Sequence, residues 1–170
     1  MEEQNEIDVR MMREALKEAQ RAARDGEVPI GAVLVQDGRV VARGRNQVES
    51  LCDATAHAEM LCVTSGAAAL GNWRLLGCTL YCTLEPCPMC FGAMTLSRLP
   101  RLVYGAPDRR HGACGSWVDL QEARHPIHQM EVVKGVESEA AADLLIKFFR
   151  LRREQGRSSR DPIWEPECDV

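Results

Sequence analysis

Residues 83–90 read TLEPCPMC, two cysteines three positions apart with a proline on either side of the first. Three kinds of chemistry use that spacing: a dithiol redox pair, half of a structural zinc knuckle, or two of the three ligands of a catalytic metal centre. A further ligand has to come from elsewhere, and the chain offers four histidines. His111, His125 and His128 fall in a loop-rich stretch, whereas His57 stands in TAHAE at the start of an expected helix. One imidazole and two thiolates fill three corners of a tetrahedral zinc site and leave the fourth for water, which is the arrangement of catalytic zinc. Both ligand groups open helices, where the positive end of the macrodipole favours the thiolate that a ligating cysteine must become. The prolines fit this reading: Pro86 stops a strand and fixes the turn, and Pro88 launches a helix with Cys87 and Cys90 facing one point.

Glu59 supplies the proton chemistry. Residues two apart on a regular helix do not share a face, so His57 and Glu59 cooperate only if the metal lies off the helix end, over its first turn. Glu59 then stands where it can take a proton from the water, whose pKa zinc brings near 7, pass it to a ring nitrogen of the substrate and help protonate a departing amine. H-x-E followed by P-C-x-x-C is the signature of zinc deaminases that act on nucleobases. The competing readings explain less. A redox pair gains nothing from H-x-E. A closed site built from Cys78, Cys82, Cys87 and Cys90 fails on reach, because Cys78 and Cys82 share a strand face only across about 13 Å. A core histidine and a solvated glutamate are the usual fates of His57 and Glu59 singly, but not of four such residues at this spacing.

The elements that must hold these residues follow from periodicity. Ile7–Arg24 predicts an amphipathic helix with Met12, Leu16, Ala19 and Ala23 as its stripe. IGAVLVQ and RVVARGR form a hairpin around Asp37-Gly38, a pair suited to a tight turn. A helix is expected over Ala56–Ala69 with Thr55 as N-cap, although Gly66 weakens it. CTLYCTL is a strand, Pro88–Ser97 a helix, RLVYGA and MEVVKG strands, and Ser138 to about Arg153 a closing helix; Pro107–Pro126 is loop-rich. The pattern predicts an α/β fold, a three-layer α/β/α domain with a mixed five-stranded sheet over residues 1–155. Residues 156–170, GRSSRDPIWEPECDV, read as a flexible tail. No apolar run approaches a membrane span and the acidic start is unlike a secretory signal, so the cytoplasm is the expected compartment. There Cys52, Cys62, Cys78, Cys82 and Cys114 read mostly as small buried hydrophobes, with Cys168 exposed.

The net charge of -4 argues mildly against a nucleic-acid partner, but the charge is segregated. Lys147–Arg160 holds six basic residues against Glu154, and Arg98–Arg110 four arginines against Asp108, while acidic residues gather at the ends, Glu2, Glu3, Glu6 and Asp8 among them. A basic surface behind an acidic total and plain solvated helix faces both fit that distribution.

EVPIGAVLV, TAHAEM, NWRL, LYCTLEPCPMCFGAM, YGAPDRRHGACGS and FFRLRREQ, in this order from about Val9 to Gln155, together resemble the bacterial tRNA-specific adenosine deaminases. The resemblance implies a cytidine deaminase-like fold, a homodimer with one Zn2+ per subunit, and hydrolytic conversion of the wobble adenosine of a tRNA anticodon to inosine. It assigns His57, Cys87 and Cys90 as zinc ligands and Glu59 as proton shuttle. Asn46 matches the residue that hydrogen-bonds the flipped base, Val28 and Pro29 an apolar wall beside it, and Asp108 the loop that holds the anticodon. Phe149, Arg150, Arg152 and Arg153 match the closing helix that borders the RNA. The chain departs from the pattern at RRHGAC, where Arg110 and His111 replace a lysine and a small residue; Arg110 keeps a phosphate contact available, and His111 is expected in solvent. A deaminase of free guanine or of another free nucleobase or nucleoside shares the zinc chemistry and is the alternative. A non-catalytic zinc subunit that grips RNA for a partner would have no need of Glu59.

Overall fold

The computed structural model describes residues 2–123 and 125–156; the tail expectation, including Cys168, otherwise falls outside the described residues. Helix α1 spans Glu2–Arg24, starting earlier than its apolar stripe because Glu2–Glu6 continues on helix propensity alone. Strands β1 (Gly31–Gln36) and β2 (Arg39–Arg45) pair antiparallel. Asp37 and Gly38 both take positive φ, at 50° and 72°, as a two-residue hairpin turn of the primed type requires. Then follow α2 (Ala58–Leu70), β3 (Cys78–Leu84), α3 (Pro88–Leu96), β4 (Arg101–Ala106), β5 (Glu131–Lys134) and α4 (Ser138–Glu154). The sheet order is β2-β1-β3-β4-β5, with β1 antiparallel to both neighbours and β3, β4 and β5 parallel.

Both faces of this mixed sheet are covered, so alternate residues serve different layers. Ala32, Leu34, Leu80, Cys82, Leu102 and Tyr104 face the layer of α2 and α3, where Cys62, Phe91 and Met94 pack against them. Val33, Val35, Tyr81 and Val103 point the other way and meet Met11, Met12 and Ala15 of α1. Cys62, Cys78, Cys82 and Cys114 are buried as small hydrophobes, whereas Cys52 is exposed. Among the described residues no helix is long and apolar enough to cross a membrane.

Glycine at Gly44 lets α2 approach β2 closely, since a Cβ there would lie 2.2 Å from the Ala58 carbonyl. The same holds for Gly66, whose Cβ would sit 2.3 Å from Leu34 Cδ2; the residue that weakens the helix by propensity is the one that seats it on the sheet.

Asp8 belongs to the acidic N-terminal cluster by sequence, yet it is only 3% exposed. It accepts two hydrogen bonds from Arg101 at 2.8 Å, one from Tyr81 at 2.9 Å and one from Gln4 at 3.0 Å, pinning α1 to β3 and β4. Burial pushes its carboxyl up, but the bonds from Arg101, Tyr81 and Gln4 together outweigh that and hold it below the usual range. Asp8→Asn is expected to cost about 3 kcal/mol in urea unfolding at pH 7, as when a buried ion pair loses one member. A depressed carboxyl contributes stability above its unfolded pKa of about 4 and loses it as pH falls through the folded value, so the gap between parent and variant should close on acidification.

Candidate active site

The amino end of β1 and the carboxyl ends of β2, β3 and β4 lie together. Gly31 pairs with Arg45, its N–H donates to Thr83 Oγ1 at 3.1 Å, and Leu84 pairs with Ala106. The segments carrying Val28 and Pro29, Asn46, His57, Cys87 and Asp108 therefore gather at one end of the strands, the usual place for a site in an α/β fold.

Thr55 does not cap α2. The Asp53 carboxylate accepts from both its N–H and its hydroxyl at 2.7 Å, forming a local turn that delays the helix. His57 is the N-cap, with extended backbone (φ -70°, ψ 151°), and its side chain makes no cap hydrogen bond. Cys87 caps α3 in the same way (φ -74°, ψ 169°), again without a side-chain cap, and Pro88 follows in the first turn. Both N-cap side chains turn away from their own helices toward one point. Cys87 Sγ and Cys90 Sγ are 3.7 Å apart, and His57 Nδ1 lies 3.7 Å from the first and 3.5 Å from the second. Zinc bonds of ordinary length in tetrahedral geometry require edges of about 3.8 Å between sulfurs and about 3.6 Å from sulfur to nitrogen. The three donors fit such an ion, and among the described residues they are the group able to hold one.

The charges agree. The Cys87 thiol is lowered to about 4, mainly by the hydrogen bond from Cys90, with His57 and the Cys90 backbone N–H adding to it against burial. That same bond, with burial, pushes Cys90 up. Two thiolates this close repel one another, and a divalent cation between them is what allows both to ionise. The imidazole of His57 is raised chiefly by its bond with Cys87, against burial. Glu59 is 4% exposed, and burial pushes its carboxyl up to about 7, close to where a proton shuttle at neutral pH works best. Its charge interacts with those of His57 and Cys87, which sets it near the donor triad.

Asn46 is buried, its backbone N–H bonded to Ile30 O at 3.0 Å, while Gln47 N–H reaches Ala56 O at 3.0 Å. These two bonds bring Asn46 beside both the Pro29–Ile30 segment and the entry to α2. Its Nδ2 donates to Glu27 Oε2 at 3.1 Å. With Nδ2 held there, the amide is fixed and Oδ1, an acceptor, lies on its other side. Glu27 itself is 1% exposed and also receives the Glu49 and Ser50 N–H groups at 3.3 and 2.8 Å. Pro29 is buried and Val28 half-buried.

Asp108 turns back into its own loop, where Oδ1 accepts from the Arg110 and His111 N–H groups at 2.9 and 3.2 Å. Arg110 and His111 are exposed, as expected for His111. In α4, Arg152 donates to Gly26 O at 3.0 Å, which brings the helix end to the turn leading into Val28. Phe149 is 37% exposed, Arg153 is exposed, and Arg150 pairs at 3.8 Å with Glu154. Of the four arginines in 98–110, Arg101 is spent on Asp8 and Arg98 on Thr95 O, leaving the basic charge at the loop to Arg109 and Arg110.

The sequence reading assigned no role to Glu27 or Glu85, the two buried carboxylates that organise the surrounding loops. Their one visible signal was acidic residues standing directly beside the apolar strand segments EVPIGAVLV and YCTLEPC.

The cytidine and deoxycytidylate deaminase zinc-binding region matches residues 5–106. The chain is 47% identical over 154 residues to the tRNA-specific adenosine deaminase of Bacillus subtilis, an alignment covering 91% of this chain and 96% of that protein. It is 48% identical over 166 residues to the chloroplastic tRNA(adenine(34)) deaminase of Arabidopsis thaliana, covering 88% of this chain but 13% of that much longer protein. A solved structure from studies of A-to-I editing by tRNA:A34 deaminases at the wobble position superposes with TM-score 0.75 and 43% identity, covering 80% of this chain and 99% of that one. The guanine deaminase of Nitrosomonas europaea superposes with TM-score 0.70 at 26% identity, covering 81% and 82%.

Proposed function

The chain belongs to the cytidine and deoxycytidylate deaminase family, among its tRNA-specific adenosine deaminases, and from that premise we propose that it converts the wobble adenosine of a tRNA anticodon to inosine. The observation that carries the chemistry is the spacing of His57 Nδ1, Cys87 Sγ and Cys90 Sγ, three donors on a tetrahedral face beside a buried carboxyl. His57, Cys87 and Cys90 would hold one Zn2+ per subunit, which would supply a water acidified toward neutrality. Glu59 takes one proton of the attacking water and delivers it to a ring nitrogen of the base, then carries the second, from the new hydroxyl on carbon 6, to the leaving amino group as the C–O bond becomes a carbonyl. Carbon 6 gains oxygen, loses nitrogen as ammonia, and no redox partner is consumed. Asn46, oriented by Glu27, offers Oδ1 to the everted base, and Val28 and Pro29 form the apolar side of its pocket.

A nucleotide in an anticodon loop is already unpaired, so turning it out costs little. The loop with Asp108 and Arg110 and the end of α4, with Phe149, Arg150, Arg152 and Arg153, supply groups that hold phosphates and stack on bases around the mouth. The protein works as a cytoplasmic homodimer in this reading.

Incubation with an anticodon stem-loop should give inosine at the wobble position and little turnover of free adenine, adenosine or guanine. Ammonia from free guanine with none from the RNA would assign the chain instead to the chemistry of its guanine deaminase neighbour. Replacing Arg152 and Arg153 together by alanine should weaken RNA binding and flatten the plot of log affinity against log salt by about 0.7 for each phosphate that is no longer neutralised. A slope equal to the parent's would remove α4 from the interface.

A further inference from the structure

We propose that Glu85 is the positioning residue that ties the loop at the mouth of the site to the turn bearing Cys87, and that it thereby sets how firmly substrate is held. Glu85 lies between β3 and Pro86 and is 2% exposed. Its Oε1 accepts from the N–H groups of Cys114 at 2.8 Å and Ser116 at 3.2 Å. Its Oε2 accepts from the Asp108 N–H at 3.0 Å and from the Ser116 hydroxyl. All four donors belong to one loop. Backbone bonds lace the same two segments: Glu85 N–H to Ala106 O at 2.8 Å and Ala113 N–H to Pro86 O at 2.9 Å. The packing leaves no slack, because a Cβ on Gly112 would lie 2.4 Å from Glu85 Cδ and 2.5 Å from its Oε2.

The loop therefore takes its shape around a carboxylate, and a positional chain runs outward from it. Glu85 fixes the Asp108 N–H, and the Asp108 carboxylate fixes the N–H groups of Arg110 and His111, whose side chains face solvent. The inference rests on the reading of this loop as substrate-facing.

Glu85→Gln is isosteric and gives a specific expectation. On the Oε1 side its NH2 would confront two backbone donors that cannot turn; on the Oε2 side the Ser116 hydroxyl can rotate and accept. The amide settles there, and the Asp108 N–H loses its partner. Hydrogen exchange at Asp108 should quicken by about tenfold or more, the scale of a hydrogen bond to a charged group, while Cys114 and Ser116 stay protected. Zinc content should be unchanged, and KM for an anticodon stem-loop should rise by about tenfold with kcat held within about threefold. Glu85→Asp, which keeps the carboxylate but draws it back from the loop, should quicken exchange at Asp108, Cys114 and Ser116 and raise KM in the same direction, and it carries the test if the glutamine variant does not fold. Unchanged exchange at Asp108 in the folded variant would overturn the proposal, as would a joint loss of zinc and kcat, which would make Glu85 part of the metal scaffold. If the parent makes no inosine in RNA, the functional reading fails, yet the exchange measurement still decides whether Glu85 holds the loop.

Discussion

Glu59→Gln retains zinc and the fold and lowers kcat for inosine formation by about 10²- to 10⁴-fold, the usual contribution of a positioned acid-base group. Glutamine preserves the volume of a side chain that is 4% exposed, so packing against the donor triad survives. What it removes is the capacity to accept a proton from water and release it to the base. An interaction needed only on the way to the transition state should cost kcat and leave KM nearly level. Single-turnover inosine formation with metal content measured on the same sample makes the test. Parental kcat in a zinc-loaded variant would take Glu59 out of the mechanism.

Removing a ligand has the broader effect. Cys87→Ala leaves His57 and Cys90, two donors where three were spaced for one ion. Zinc is expected to be lost on dialysis and activity with it. Stability should follow, because an ion that binds the folded chain at a thousandfold above its Kd contributes about 4 kcal/mol. For a chain of this length that corresponds to roughly 10 °C of Tm. The parent should drop by that amount on chelation, and the variant, already without metal, should not respond. A variant that keeps both zinc and the chelator response would relocate the metal.

Much of this was legible in the sequence, for reasons visible residue by residue. CTLYCTL and RLVYGA became β3 and β4 with the expected ends, because each is a short apolar run bounded by turn residues. His57, Cys87 and Cys90 converge because strand-turn-helix geometry with proline fixes local direction, which spacing encodes. Long-range polar bonds are not encoded that way. Asp8 read as one acid among several at a solvated end, and only the fold brings Arg101 to it across 93 residues of sequence. The same holds for Glu27 and Glu85: nothing in their neighbours announces that backbone N–H groups from distant loops will surround them. The N-cap of α2 was misplaced for a local reason, the Asp53 turn that consumes Thr55 before it can cap. Charge runs misled most, since Arg98 and Arg101 serve the fold rather than a surface.

X-ray absorption at the zinc edge on the purified protein bears on all of this at once. The site described here gives two sulfurs at about 2.3 Å, one imidazole nitrogen at about 2.0–2.1 Å and one light, exchangeable fourth ligand. Four protein donors with no exchangeable position, or a shell without the two sulfurs, would contradict it.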